Sequence, residues 1–290
     1  MKNRKVNKIK MKLFGLLVVS TSLVACQQSA PPDPSVNTET FGRVGDSIHF
    51  AGHDWTVKIH ETGKWGPGPN YFSGNERDIT IDDNGYLHMK IVKRNDKWFS
   101  TEVVSDKNMG FGTYIFTVDA DLENISDNIV LGLFTWDNNT FQTDGNSEVD
   151  IEVSKWNNKA EQRTLQYGVQ PIFFGQLNEE RKHRPEYPFG SLKGVSTHAF
   201  TWTEKEITWI SYAGDTYGQG TVLGEWSFDD TQPARVKQEG GNTSEPIVIP
   251  KPGSETNARI NLWLVNDGGQ GPETGRDVEI IIRDFQYIPL

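Results

Sequence analysis

Glu148-Val149-Asp150-Ile151-Glu152 sets three carboxylates at alternate positions with β-branched apolar residues between them. In a strand, successive side chains point to opposite faces. Val149, Ile151 and Val153 therefore enter a core, and Glu148, Asp150 and Glu152 share the other face. Like charges this close raise at least one carboxyl pKa. Such a row is an acidic face in water, a cation site, or a proton-sharing group that does chemistry. Ca²⁺ sites draw on loop carbonyls and turn spacings, which a strand row matches poorly. Hydrolysis of a glycosidic bond needs two carboxyl groups flanking it, about 5–5.5 Å apart when the configuration is retained. The two glutamates of a flat strand would stand about 13 Å apart at Cα, from four rises of roughly 3.3 Å. Only a concave strand brings their tips together. With Asp150 between them, one group can stay ionised while another stays protonated. Alternation alone does not say which glutamate has which role.

The elements that carry this row read as short strands. Alternating segments such as Tyr86–Lys93, Tyr114–Val118, Ile129–Trp136, Thr164–Val169, His198–Thr203, Ile207–Tyr212, Arg259–Val265 and Val278–Tyr287 are separated by Gly, Asn and Asp turns. Many short strands with turn signals and no fixed repeat predict an all-β fold, a β-sandwich or barrel. Two connections, 171–196 and 229–257, are longer than a sandwich needs. The first holds Glu179-Glu180-Arg181-Lys182-His183-Arg184, a basic knot that reads as a solvated surface turn more readily than as a contact for an anionic substrate. Strand parity puts Asn261 and Trp263 on the face opposite Ile260, Leu262 and Leu264, and puts His198, Phe200 and Trp202 on one face together. Aromatic rings beside polar groups suit sugar rings, whose C–H faces stack while their hydroxyls pair. Large core residues are the plainer alternative for any one of them.

Residues 1–25 carry six basic groups and an apolar run from Leu13 that is too short to span a membrane, ending Leu23-Val24-Ala25 before Cys26, the chain's one cysteine. This is similar to a bacterial lipoprotein signal peptide, with Cys26 as the lipidated N-terminus of the mature chain. A tether over 26–45 would then lead to one domain over 46–290, anchored to a membrane without crossing it. Gln27 after Cys26 suits outer-membrane or cell-surface sorting. Without the six leader cations, 23 of the 29 basic residues face 39 acidic ones. That balance argues against nucleic acid as a partner.

The motif and its surroundings resemble glycoside hydrolase family 16, the endo-β-glucanase and galactanase family. Beside Glu148–Glu152, the resemblance rests on Asn70-Tyr71-Phe72, Gly85-Tyr86-Leu87, Glu102–Ser105, Gly110–Tyr114, Leu131–Trp136, Thr197–Trp202, Asn261-Leu262-Trp263 and Arg283–Tyr287, in the family's order. It implies a concanavalin A-like jelly roll of two curved antiparallel sheets with a polysaccharide cleft on the concave face. It also implies a retaining endo-glycosidase or transglycosylase, with Glu148 as nucleophile, Glu152 as acid and base, and Asp150 tuning the pair. By the same resemblance Glu102 and Asn70 contact sugar, while Trp136, Trp202 and Trp263 wall the subsites. Catalysis needs no cofactor. A structural Ca²⁺ occurs in many members, but no metal ligand can be assigned here, and a monomer is expected. Two departures concern the substrate: Val104 stands where many members have Arg, and Asn146-Ser147 where several have an aromatic residue. The alternative on the same fold is a surface lipoprotein that binds glycan without cleaving it.

Overall fold

A computed structural model describes residues 43–44, 46–139, 147–170, 172, 181–229, 235–237, 243–246, 249–265 and 270–290, with backbone only for 43–44, 235–237 and 243–246. The leader, Cys26 and nearly all of the tether lie outside the described residues. Thr38–Leu290 form one unit, and the described elements in it are strands. The first are β1 (Arg43–Val44), β2 (Ser47–Phe50), β3 (His53–Val57), β4 (His60–Trp65), β5 (Asn70–Phe72), β6 (Ile79–Ile81) and β7 (Leu87–Arg94). Next come β8 (Lys97–Ser105), β9 (Gly112–Asp121), β10 (Ile129–Asp137), β11 (Val149–Val153), β12 (Leu165–Val169) and β13 (Lys182–His183). The last are β14 (Lys193–Trp202), β15 (Glu206–Ala213), β16 (Thr221–Asp229), β17 (Arg235–Lys237), β18 (Thr243–Pro246), β19 (Thr256–Leu264) and β20 (Val278–Pro289).

Pairing sorts most of these strands into two antiparallel sheets. The first runs β1-β2-β3-β8-β19-β10-β11-β12-β13. The second runs β6-β7-β20-β9-β14-β15-β16. At its N-terminal end β8 also pairs with β7 and, in parallel, with β5, so the two sheets join along one edge. Hairpin-paired neighbours alternate with partners far apart in sequence: β19 lies between β8 and β10, and β9 between β20 and β14. This is the Greek-key connectivity of a jelly roll. Register shifts at Ser211/Tyr212 and Ile282/Asp284 mark bulges in the second sheet, which sharpen its curvature.

The core fills the space between the sheets. From the first sheet come Leu131 and Leu133, Val149, Ile151 and Val153, Leu165, Tyr167 and Val169, and Ile260, Leu262 and Leu264, all fully buried. From the second come Tyr114, Phe116, Phe200, Trp202, Ile207, Trp209 and Phe285. The aliphatic half of the alternating motif thus faces the core, and the polar half of β11 takes the far side of the first sheet.

Two expectations change at this level. The basic knot is not a solvated turn. Arg181 is fully buried, its guanidinium donating to the Val169 and Gln170 carbonyls and lying over the Phe228 ring. Lys182-His183 form β13, paired to Tyr167 and Gly168. Backbone pairing along β12 and the stacking of His183 on Tyr167 and Trp226 draw these residues into the sheet. The second change concerns Trp202, which is no subsite wall. It is fully buried, packs edge-on against Phe111 and donates its indole N–H to the Pro250 carbonyl at 3.0 Å. His198 and Phe200, on the same face of β14, are buried with it because that face is the one turned toward the first sheet.

Candidate active site

On the outer face of the first sheet, the register of β12, β11, β10, β19, β8 and β3 lays side chains in rows across the strands. One row runs Gln166, Glu152, Gly132, Asn261, Glu102. The next runs Gly168, Asp150, Phe134, Arg259, Val104, Thr56. Strands lie about 4.8 Å apart, so Glu152 and Glu102 are roughly 14 Å apart at Cα across three steps. The rows floor a cleft of about 790 Å³, also lined by Lys58, His60, Trp65, Asp106, Trp136, Asn138, Glu148, Asn257 and Trp263.

Glu148 is not part of the flat strand. Ser147 before it adopts φ 54°, and β11 begins only at Val149. The kink is held from several sides: Ser147 is fully buried and its hydroxyl donates to the Lys251 carbonyl. Thr135 donates its hydroxyl to the Ser147 carbonyl and accepts from the Val149 N–H. Glu148 follows this kink, and its side chain hydrogen-bonds to Asp150.

The three carboxyls have different surroundings. Asp150 is 3 % exposed. Burial, then the charges of Glu148 and Glu152, push its pKa well up; a hydrogen bond from Gln170 opposes the shift, and a smaller one with Glu148 adds to it. Glu152 is half-buried. Burial raises its pKa from 4.5 to about 7, opposed by Gln166, whose amide donates at 2.9 Å, and by the charges of Arg184 and Lys182. These last two come from the basic knot. Gly168 and Gly132 leave room beside the acids: a methyl group on Gly168 would touch the Asp150 carboxylate, and one on Gly132 would collide with the Asn261 side-chain oxygen.

At the far end of the first row, Glu102 is clamped. Its side chain is 1 % exposed and accepts from Lys58 Nζ at 2.9 Å and from Arg259 Nη1 at 3.0 Å. Arg259 also donates to Asn138 and Asn257 and lies over the Trp136 ring. It pairs in register with Val104. The guanidinium absent from position 104 therefore arrives from the neighbouring strand, one step across the sheet.

Of the sequence-predicted residues, Glu102, Trp136, Glu148, Asp150, Glu152 and Trp263 come together in the cleft. Trp263 does so by an edge only, being 7 % exposed and packed against Gly68 and Trp156. Asn70 does not line it. Its amide donates to the Pro67, Gly68 and Leu264 carbonyls and its oxygen accepts from Ser100. That spends the side chain on fixing the turn behind Trp65. Cys26 and Asn146 lie outside the described residues. Sequence reading missed Lys58, His60, Trp65, Arg259 and Gln166. Arg259 was within reach, since it shares the polar face of β19 with Asn261 and Trp263. Trp65, 59 % exposed and stacked on His60 at 4.6 Å, ends β4, whose burial does not alternate and so does not reveal its direction. Among the described residues no group of three or more His, Cys, Asp or Glu side chains could hold a metal ion.

The acidic row lies on the outer face of the first sheet and opens into the cleft. No protein-family model and no curated protein matches the chain. Solved structures do match its fold. A β-1,3-1,4-glucanase (lichenase) from a mouse hindgut metagenome superposes with a TM-score of 0.52 at 15 % identity, over 86 % of this chain and 99 % of that one. A non-specific endo-β-1,3(4)-glucanase from family GH16 gives 0.55 at 10 % identity, over 87 % of each chain. A LamA variant of Z. galactanivorans, solved in complex with laminaritriose and laminaritetraose, gives 0.50 at 14 % identity, over 81 % of this chain and 91 % of that one. The chain shares the jelly-roll fold of these β-glucanases.

Proposed function

We propose that the cleft hydrolyses internal β-glycosidic bonds of a polysaccharide with retention of configuration. The observation that carries this reading is the meeting of three carboxyls, Glu148, Asp150 and Glu152, in one cleft, with Asp150 hydrogen-bonded to Glu148 and burial raising the Glu152 pKa to about 7. A carboxylic acid that holds its proton near neutral pH beside an ionised one is the arrangement general acid catalysis requires. In this reading Glu152 gives its proton to the leaving glycosidic oxygen as Glu148 attacks the anomeric carbon, forming a glycosyl-enzyme ester. Glu152, now ionised, takes a proton from water, which opens the ester and regenerates both groups. Asp150 holds a proton between the two and keeps Glu148 oriented. No cofactor takes part. The β-glucan specificity of the fold relatives makes a 1,3/1,4-linked glucan the first substrate to try.

The test is the release of reducing ends from a panel of β-glucans and galactans, with products resolved by size and anomeric form. Glu148→Gln and Glu152→Gln should each lower the rate by at least roughly a thousandfold while the polysaccharide still binds. Wild-type rates in either variant, or products of inverted configuration, would sink the assignment. The signal-peptide reading of 1–25, with Cys26 as the lipidated residue, extends the proposal to a lipid-anchored enzyme at the cell surface, checked by incorporation of labelled fatty acid into wild-type but not Cys26→Ser protein.

A further inference from the structure

The outer face of the second sheet carries a groove of about 510 Å³ that shares no lining residue with the acidic cleft. The core lies between the two, since Phe200 and Trp209 turn inward and the residues alternating with them turn outward. Register lays two rows across β14, β15 and β16 on this face. One is hydroxylic, Thr201, Thr208 and Ser227; the other is Ala199, Ile210 and Glu225. Two strand steps make each row about 10 Å wide at Cα.

Two tyrosines wall the groove. Tyr212 rises from β15, and Tyr217, 41 % exposed, crosses it edge-on with the ring centres 6.1 Å apart. The loop between β15 and β16 is built to put Tyr217 there. Gly214, Gly218 and Gly220 all take positive φ, and a methyl group on Gly220 would stand 2.2 Å from the Ala213 carbonyl oxygen. Gly214 donates its N–H to the Val195 carbonyl at 2.8 Å, and its own carbonyl accepts from the Thr197 hydroxyl at 2.8 Å. The loop is tied down at its base, yet the ring it displays stays largely in water, where it adds little to stability. Burial, then Tyr217 and Glu225, raise the pKa of the Tyr212 hydroxyl, so both neighbours act on the polar end of that ring.

The lining narrows the class of ligand. None of the described residues lining the groove is Lys, Arg or His. A polyanion such as nucleic acid or an acidic lipid surface would meet Glu225 with no balancing cation. An apolar side chain from a partner protein would cover the hydroxyl row without pairing it, which is costly. A sugar chain meets both demands, because its C–H faces stack on tyrosine rings while its hydroxyls both donate and accept. We propose that this groove is a second glycan site, which holds a polysaccharide chain without cutting it. Glu225 is the one carboxylate among the described lining residues, and hydrolysis with retention needs two. A site on the far side of the sandwich keeps the protein on a polysaccharide surface while the cleft is empty. It does not depend on what the cleft does.

The test is affinity electrophoresis through gels holding lichenan, laminarin, xylan or agarose. The background is Glu148→Gln/Trp136→Ala, which has neither the proposed nucleophile nor the tryptophan ring in the cleft. At least one of the four polysaccharides should retard this protein. Adding Tyr212→Ala and Tyr217→Ala together should raise the apparent Kd roughly tenfold, and Tyr217→Ala alone about threefold. Tyr217→Phe, which keeps the ring, should stay within about twofold of the background. Because Tyr217 is exposed, Tyr217→Ala should leave Tm unmoved, which separates lost binding from lost fold. No retardation by any of the four, or retardation that the tyrosine changes leave unaltered, overturns the proposal. A dimer seen by sedimentation without polysaccharide, and lost in Tyr217→Ala, also overturns it by making a second copy the occupant. Tyrosine-dependent binding with no release of reducing ends by the wild-type chain would refute hydrolysis and leave this site standing. Cleavage with tyrosine-independent retardation would do the reverse.

Discussion

Replacing Glu152 by Gln should make the protein more stable, and only at high pH. The carboxyl is half-buried in the cleft wall, and burial lifts its pKa from 4.5 to about 7. Between those two values the folded chain holds a proton that the unfolded chain releases. Stability therefore falls as pH rises through that window: the contribution is intact below about 4.5 and gone above about 7. At about 1.4 kcal/mol for each pH unit, the ionised carboxylate costs the folded state roughly 3 kcal/mol at pH 8. Glutamine has nearly the same shape, does not titrate, and can still accept from the Gln166 amide that now donates to Glu152 at 2.9 Å. Urea or thermal unfolding at pH 4 should give nearly equal stabilities for wild type and Glu152→Gln. At pH 8 the variant should be ahead by up to about 3 kcal/mol, or roughly 6–12 °C in Tm. A constant gap at both pH values would mean that Glu152 titrates normally in the fold. A variant less stable at pH 8 would mean that Arg184 and Lys182 outweigh burial. Either result removes the physical basis for Glu152 as the acid.

Two further outcomes follow from the site and the core. Arg259→Val should lower kcat/KM by roughly ten- to a hundredfold by loosening Glu102, and adding Val104→Arg should recover part of the loss, because positions 104 and 259 face each other in register; no recovery would show that the guanidinium's place in the sheet matters beyond its charge. Trp202→Phe should cost about 2 kcal/mol in chemical denaturation through lost volume and the lost bond to Pro250, with KM unchanged, and a KM raised several-fold would return Trp202 to the cleft.

Much of this was legible without coordinates, because alternation is a local property. Val149, Ile151 and Val153 face the core and the acids face away, as the period of two demands. The same rule put Asn261 and Trp263 opposite Ile260, Leu262 and Leu264, where the aliphatic side identifies itself. It failed for β14 because parity says which residues share a face, not which face is wet. His198, Phe200 and Trp202 share a face as expected, but the resemblance made Trp202 a subsite wall, and that face is the buried one. Glu148 reaches the cleft as expected, but the strand begins one residue after the motif does, because a left-handed Ser147, anchored by Thr135 and Lys251, precedes it.

What the sequence determined by itself is the all-β character, the acidic row and the identity of the residues that can do chemistry. Each of these depends on neighbours a few positions away. The tertiary structure decided which groups meet. Glu102 finds Arg259 157 positions along the chain and Lys58 44 positions before it, through strand pairings that no local pattern encodes. The same pairings bury Asp150 and Glu152 and turn three equivalent acids into three different ones, since a carboxyl pKa is set by the water and charge around it.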